Sequence, residues 1–197
     1  MSGKNPRFGF ETRAIHAGAR PDATTGARQT PIFQTTSYVF EDVNQAADLF
    51  NLSSFGFIYT RLGNPTVAVL EERLASLEGG RAAVAAASGH AAQFLAFFTL
   101  LQPGDEFVAS RNLYGGSITQ FGQSFKRLGW TCHFADPTPE ALGAALTART
   151  RAIFVESLAN PGGVVVDLEG VAAVASRAGI PFIVDNTLAS PWLCRPF

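Results

Sequence analysis

The first 65 residues show no clean hydrophobic period and are dense in turn formers, among them Gly18, Pro21, Gly26, Pro31, Gly56, Gly63 and Pro65. This predicts an extended arm over 1–65 that packs on something, rather than a closed domain. From Val67 the pattern becomes helical. Val67, Leu70, Leu74 and Leu77 recur at spacings of three and four, with Glu71, Glu72 and Arg73 between them, until Gly79-Gly80 stops the run. A short small-residue run over 82–87 then reads as a strand, Ser88-Gly89-His90 as a tight turn, and the apolar stretch through Leu101 as a buried core helix. After Gln102-Pro103-Gly104-Asp105, short β-rich apolar runs alternate with helical patterns. Strands are expected over 106–109, 131–135, 152–156 and 182–185, and helices over 117–128, 139–146 and 168–178. Strand, helix, strand at this spacing predicts an α/β fold with right-handed crossovers and a mainly parallel sheet.

Composition narrows the class. The 197 residues are 47% hydrophobic and 16% charged with a formal net charge of −1, which excludes disorder, collagen and coiled coil. The charged fraction lies well below the roughly 25% of an average soluble domain, so part of the surface is expected to be covered, by a partner subunit or by further chain. Low charge also argues against a nucleic-acid or anionic-membrane partner. The apolar run FLAFFTLL over 94–101 is far shorter than the roughly 20 residues of a membrane span, and the charged first 26 residues hold no secretory signal. Cys132 and Cys194 match no zinc or Cys-x-x-Cys spacing. They read as buried, reduced thiols, hence a cytoplasmic protein.

In an open parallel sheet, ligands bind beyond the carboxyl ends of the strands. The residues there are polar and aromatic: Ser88-Gly89-His90, 110–116 including Tyr114-Gly115-Gly116, 156–161 including Asn160, and Asp185-Asn186-Thr187. Ser88-Gly89-His90 falls at a predicted helix start, suited to an anion such as phosphate, or else a plain serine cap. Asp185 ends the run Phe182-Ile183-Val184; a carboxylate at the edge of a buried sheet calls for a cation such as a protonated ring nitrogen, unless it sits in a solvated turn. Tyr114 could stack on a flat ligand or pack in a loop. In the arm, Arg61 beside Tyr59 could clamp a phosphate or be a surface arginine.

Absences discriminate as well. No two of the 19 glycines stand two apart, so there is no Gly-x-Gly dinucleotide fingerprint, and neither lysine, Lys4 or Lys126, completes a Walker loop. His16, His90 and His133 are scattered, which argues against a zinc site or a Ser-His-Asp relay.

Seven collinear segments carry a resemblance that covers nearly the whole chain. They are Thr12-Arg13-Ala14-Ile15-His16-Ala17-Gly18, Thr30-Pro31-Ile32-Phe33-Gln34-Thr35-Thr36-Ser37, Tyr59-Thr60-Arg61 with Asn64-Pro65-Thr66, Ser88-Gly89-His90-Ala91-Ala92, Tyr114-Gly115-Gly116-Ser117, Glu156-Ser157 with Asn160-Pro161, and Val184-Asp185-Asn186-Thr187. Together they resemble the Cys/Met metabolism family of pyridoxal 5′-phosphate (PLP) enzymes of fold type I. The resemblance implies the three-layer, aspartate-aminotransferase-like large domain, here over 66–197 and incomplete at its C-terminus, behind an intersubunit arm over 1–65. It implies that Ser88, Gly89 and His90 hold the cofactor phosphate, with Tyr59 and Arg61 reaching in from a neighbouring subunit of a dimer of dimers. Asp185 would pair with the pyridinium nitrogen, Tyr114 would stack on the ring and assist proton transfer, and Asn160 would hydrogen-bond near the 3′-oxygen or the substrate. No metal is implied.

Within the family, the stretch 40–52 and His90 are similar to the O-acetylhomoserine sulfhydrylases. The implied reaction is a PLP-dependent γ-replacement in methionine biosynthesis, in which acetate leaves an amino-acid substrate and sulfide or a thiol adds. A cystathionine γ-synthase or γ-lyase is the alternative within the family; a non-catalytic assembly fragment is the alternative outside it. One departure bears on activity. The family's Schiff-base lysine follows the Asp-Asn-Thr segment, and neither Lys4 nor Lys126 matches it. The 197 residues alone are therefore expected to be an inactive N-terminal part of such an enzyme.

Overall fold

The computed structural model describes residues 8–197. Two compact units are present, one running to Ala85 and including Phe197, the other spanning Ala86–Pro196.

In the first unit, α1 (Phe10–His16), α2 (Val43–Phe50) and α3 (Pro65–Glu78) are joined by irregular chain. The helix expected from Val67 is α3. Asn64 caps it by accepting from the Thr66 N–H, Pro65 fills a first-turn position where no N–H is needed, and Gly79 ends it at φ 78°. The arm is tied to the start of this helix: Thr66 Oγ1 donates to the Pro31 carbonyl at 2.8 Å and Asn64 Nδ2 to the Phe33 carbonyl at 2.8 Å. Helix α1 packs on α3 through the Arg13 guanidinium on the Ser76 carbonyl and Arg73 Nε on the Ala17 carbonyl. Neither α1 nor α2 was foreshadowed by hydrophobic period, because they run for only 7 and 8 residues and bury almost nothing. The apolar stripe of α3 is also largely open: Leu77 is buried, while Leu70 and Leu74 are exposed.

The second unit is the α/β unit that the alternation predicts. Its strands are β1 (Glu106–Ser110), β2 (Thr131–Ala135), β3 (Thr150–Glu156) and β4 (Phe182–Asp185), all parallel in the order β2-β1-β3-β4. Successive residues point to opposite faces. Phe107, Ala109, Ala152 and Phe154 join Phe97, Leu113, Phe121, Phe125 and Trp130 on one face. Val108, Ile153 and Val155 join Leu142, Val166, Val171 and Val174 on the other. Helix α4 (Gly89–Leu100) and the helical run 115–128 cover the first face, and α6 (Pro139–Ala144) and α7 (Leu168–Ala178) the second. Burial on both sides is why β1 and β3 read as continuous apolar runs rather than alternations. The run 115–128 is α5 (Gly115–Thr119), a π turn (Gln120–Ser124) and a 3₁₀ turn (Phe125–Leu128) in sequence. A short α8 (Ser190–Leu193) follows β4.

Two expectations are corrected. Residues 82–87 form no strand; nearly all are exposed, and no described strand lies beside them. Alanine has little β preference of its own, so without a partner strand the run stays irregular. Helix α4, expected to be a buried core helix, buries Gln93 and Phe97 but leaves Leu95 and Phe98 exposed.

At the amino end of the sheet the buried Glu106 carboxylate accepts from Thr147 Oγ1 at 2.7 Å, pairs with His133 Nε2 at 2.9 Å and meets the Arg149 guanidinium. These partners, the Thr147 hydroxyl foremost, hold its carboxyl down from 4.5 to about 2. A depressed folded-state value stabilises the fold above pH 4.5, and that stability is lost as pH falls towards about 2. Denaturant midpoints of the parent and Glu106→Gln should therefore converge as pH is lowered through this window. A gap that does not change with pH would show that the carboxylate's charge contributes nothing. Both cysteines are free thiols, but each is only partly buried rather than buried as expected, and burial still pushes the Cys132 thiol far up. No helix among the described residues is long and apolar enough to cross a membrane.

Candidate active site at the carboxyl ends of the strands

The carboxyl ends of β3 and β4 and the amino ends of α4 and α5 bring most of the expected residues into one unit. Ser88 caps α4, its Oγ accepting from the Ala91 N–H at 3.1 Å. The N–H groups of Gly89 and His90 lie in the first turn, where a helix has no internal acceptor for them. A Cβ added at Gly89 would meet nothing within 4 Å, so a bulky anion could approach this helix end. The serine cap and the anion seat, alternatives on sequence grounds, are compatible here, because the cap engages only the Ala91 N–H.

From the same first turn of α4 the His90 ring lies 5.8 Å from the Tyr114 ring, tilted by 34°. Gly116 makes this possible: a Cβ there would come within 2.5 Å of Tyr114 and 2.6 Å of His90. Tyr114 is itself half exposed. Its backbone is fixed from below, since its N–H donates to Glu156 Oε1 at 2.7 Å. The other oxygen of Glu156 accepts from the Asn160 N–H at 3.0 Å. Glu156 is buried at the end of β3, so one carboxylate pins the loops that carry Tyr114 and Asn160.

Asp185 ends β4 in register with Glu156. Its Oδ1 accepts from the Thr187 N–H at 3.0 Å and from the Thr187 hydroxyl. Its Oδ2 accepts from Gln93 Nε2 at 3.3 Å. Gln93, buried in α4, also donates to Ser117 Oγ at 3.0 Å. Tyr59 and Arg61 belong to the other unit, where the Arg61 guanidinium lies 5.3 Å from the Tyr59 ring centre and Tyr59 bridges to Ser37.

Gln93 and Glu156 are site residues to which the sequence reading gave no role, although Glu156 stood in the strand-end segment 156–161. Each left a signal: Glu156 is a carboxylate closing the apolar run Ala152-Ile153-Phe154-Val155, and Gln93 is an amide inside the apolar Ala91–Thr99 stretch. Among the described residues no three His, Cys, Asp or Glu side chains cluster as a metal site would require.

The donor set fits PLP. An open helix end and a carboxylate held by three donors are the chemistry a phosphate and a protonated ring nitrogen would call for, and the half-exposed Tyr114 lies in the same unit. Comparison with known proteins agrees. The chain is 52% identical over 190 residues to O-acetyl-L-homoserine sulfhydrylase 1 of Thermus thermophilus, covering 95% of this chain and 45% of that protein. It is 48% identical to the O-acetyl-L-homoserine sulfhydrylase of Leptospira meyeri, covering 96% and 43%. Among solved structures, a Campylobacter jejuni protein assigned as an O-acetylhomoserine (thiol)-lyase, holding a pyridoxyl-lysine phosphate, superposes with a TM-score of 0.93 at 40% identity, over 96% of this chain and 47% of that one. The chain thus spans under half the length of these relatives. The family model for Cys/Met metabolism PLP-dependent enzymes matches residues 11–197. With that match across almost its entire length, the chain belongs to the Cys/Met metabolism PLP-dependent enzymes.

Proposed function

We propose that this chain carries the cofactor-holding part of an O-acetylhomoserine sulfhydrylase, which converts O-acetylhomoserine and sulfide into homocysteine and acetate. The observation that carries the reading is the placement of an open helix end, Ser88-Gly89-His90, and a donor-braced carboxylate, Asp185, around the same helix α4. The chain's near 50% identity to two sulfhydrylases supports this reaction over others in the family.

In this reading Ser88, Gly89 and His90 hold the phosphate of PLP, and Tyr59 and Arg61 of a neighbouring subunit in a homo-oligomer complete that grip. Asp185 accepts a hydrogen bond from the ring nitrogen and keeps its proton in place. Bound there, PLP supplies an electron sink that acidifies the substrate's α and β positions. Tyr114 covers one face of the ring and moves a proton at its phenolic oxygen, while Asn160 orients the 3′-oxygen or the substrate. The 2 lysines of the sequence are Lys4 and Lys126. Lys126 sits in the 3₁₀ turn leading to the amino end of β2, the edge of the sheet remote from Asp185, so it does not take the role of the family's lysine. The reaction is therefore proposed for the protein at the relatives' full length.

The test is to load that full-length protein with PLP and offer O-acetylhomoserine with sulfide, and separately cystathionine or methionine. Homocysteine from the first mixture is expected. Its absence, with turnover of cystathionine or methionine instead, would overturn the sulfhydrylase reading in favour of a lyase.

A further inference from the structure

The polar side chain that joins the two halves of the site is Gln93. It sits on α4 four residues after Gly89, about one turn and roughly 6 Å along the axis at 1.5 Å per residue. The helix whose first turn offers N–H groups to an anion thus also presents an amide to Asp185, at 3.3 Å. The orientation of that amide is dictated by chemistry. An ionised carboxylate only accepts, so the Gln93 atom facing Asp185 Oδ2 must be the NH₂ group. Its second N–H goes to Ser117 Oγ at 3.0 Å, and Gln93 and Ser117 are both more than nine-tenths buried. Ser117 lies in α5, directly after the Tyr114-Gly115-Gly116 turn.

The neighbours of Asp185 leave this role to Gln93. Thr187 engages only Oδ1. Glu156, in register on β3, is itself an acceptor, with its oxygens on the N–H groups of Tyr114 and Asn160. The His90 ring lies against Tyr114. Gln93 donates to Oδ2 among the described residues, and being neutral it adds no charge that would compete with a cationic ring nitrogen. A lysine or a protonated histidine at this position would satisfy Asp185 outright and leave it less to offer a ligand.

We propose that Gln93, held by Ser117, is a positioning residue: it orients the Asp185 carboxylate towards the cofactor's ring nitrogen and couples that carboxylate to the helix that holds the phosphate and the helix that follows Tyr114. This rests on the assignment of Asp185 made above. The amide fixes the orientation of the carboxylate by holding Oδ2 at 3.3 Å, leaving the carboxylate's remaining acceptor capacity for a ligand.

The experiment uses the full-length holoenzyme. Gln93→Met keeps the volume and removes the donor, Gln93→Glu keeps the shape and sets a second carboxylate against Asp185, and Ser117→Ala releases the amide. Three quantities are read: PLP affinity by titration of the stripped protein, the pH dependence of the bound cofactor's visible absorption, and the denaturant midpoint. Loss of one hydrogen bond to a charged group predicts about tenfold weaker PLP binding in Gln93→Met, with the alkaline limb of the absorption profile about one pH unit lower. Gln93→Glu should be worse than Gln93→Met, because like charges face each other, and Ser117→Ala should be milder than either.

Gln93 variants that lower only the denaturant midpoint, with affinity and absorption profile unchanged, would overturn the proposal by reducing Gln93 to a packing residue. Asp185→Asn is the arm that separates the two readings. If it alters the absorption profile while the Gln93 variants do not, the role of Gln93 falls and that of Asp185 stands. If it leaves the profile intact, the assignment of Asp185 fails, and the Gln93 proposal fails with it.

Discussion

Asp185→Asn in the full-length protein should lower kcat/KM for homocysteine formation by about 100-fold or more, the scale of one charge-assisted hydrogen bond at a developing charge. The substitution keeps the size of the side chain but removes its charge and converts one oxygen into a donor. Both oxygens already receive N–H or O–H groups, from Thr187 on one side and Gln93 on the other. An amide nitrogen at either position would face a donor with a donor, so the side chain would be misoriented as well as neutral. A ring nitrogen left without a carboxylate loses its proton more readily, and with it the electron-sink capacity on which the proposed γ-replacement would depend. At saturating PLP the loss should appear mainly in kcat, while the PLP titration should show binding weakened at least as much as in Gln93→Met, because the proposed partner of the ring nitrogen is itself removed. It is checked by steady-state kinetics alongside a PLP titration. Wild-type kcat/KM in the variant would remove Asp185 from the mechanism.

The largest effect on stability is expected from Phe97→Ala, at about 3–5 kcal/mol, a substantial share of the roughly 5–15 kcal/mol that holds a typical domain together. Phe97 is fully buried. Its ring centre lies 4.3 Å from that of Phe107, 5.3 Å from Phe121, 5.5 Å from Phe125 and 6.0 Å from Phe154. It therefore joins α4, the helical run 115–128 and both central strands. Truncation would leave a cavity lined by four rings that cannot all close inward, because two of them are anchored in the sheet. The adjacent Phe98 is 58% exposed, so Phe98→Ala in the same 197-residue chain should cost well under half as much. Denaturant midpoints of the two variants decide the matter. Equal losses would mean that the aromatic cluster around Phe97 does not anchor the layer.

These two residues illustrate how legible the fold was. Strands over 131–135 and 182–185 and the helix over 168–178 coincide with β2, β4 and α7, because each is a short run whose own residues dictate its period and whose ends carry turn formers. The expected strand over 82–87 failed for the converse reason. A strand needs a neighbour's backbone, and small residues with no neighbour give no sheet. The identity of the core-facing side of α4 was also illegible. In Gly-His-Ala-Ala-Gln-Phe-Leu-Ala-Phe-Phe-Thr-Leu apolar residues occur nearly all round, so periodicity cannot choose between Phe97 and Phe98.

For the site, the sequence determined which residue types stand at the strand and helix ends, since local patterning places Ser88-Gly89-His90, Tyr114, Asn160 and Asp185 there and their spacing carries the family resemblance. Only the tertiary structure decided how they are held. Gln93 meets Asp185 across 92 positions, and Glu156 meets the Tyr114 N–H across 42. Such bonds have no local signature, because a buried amide or carboxylate is satisfied by whichever backbone the fold brings to it, and that is settled by packing between elements rather than by the pattern within one.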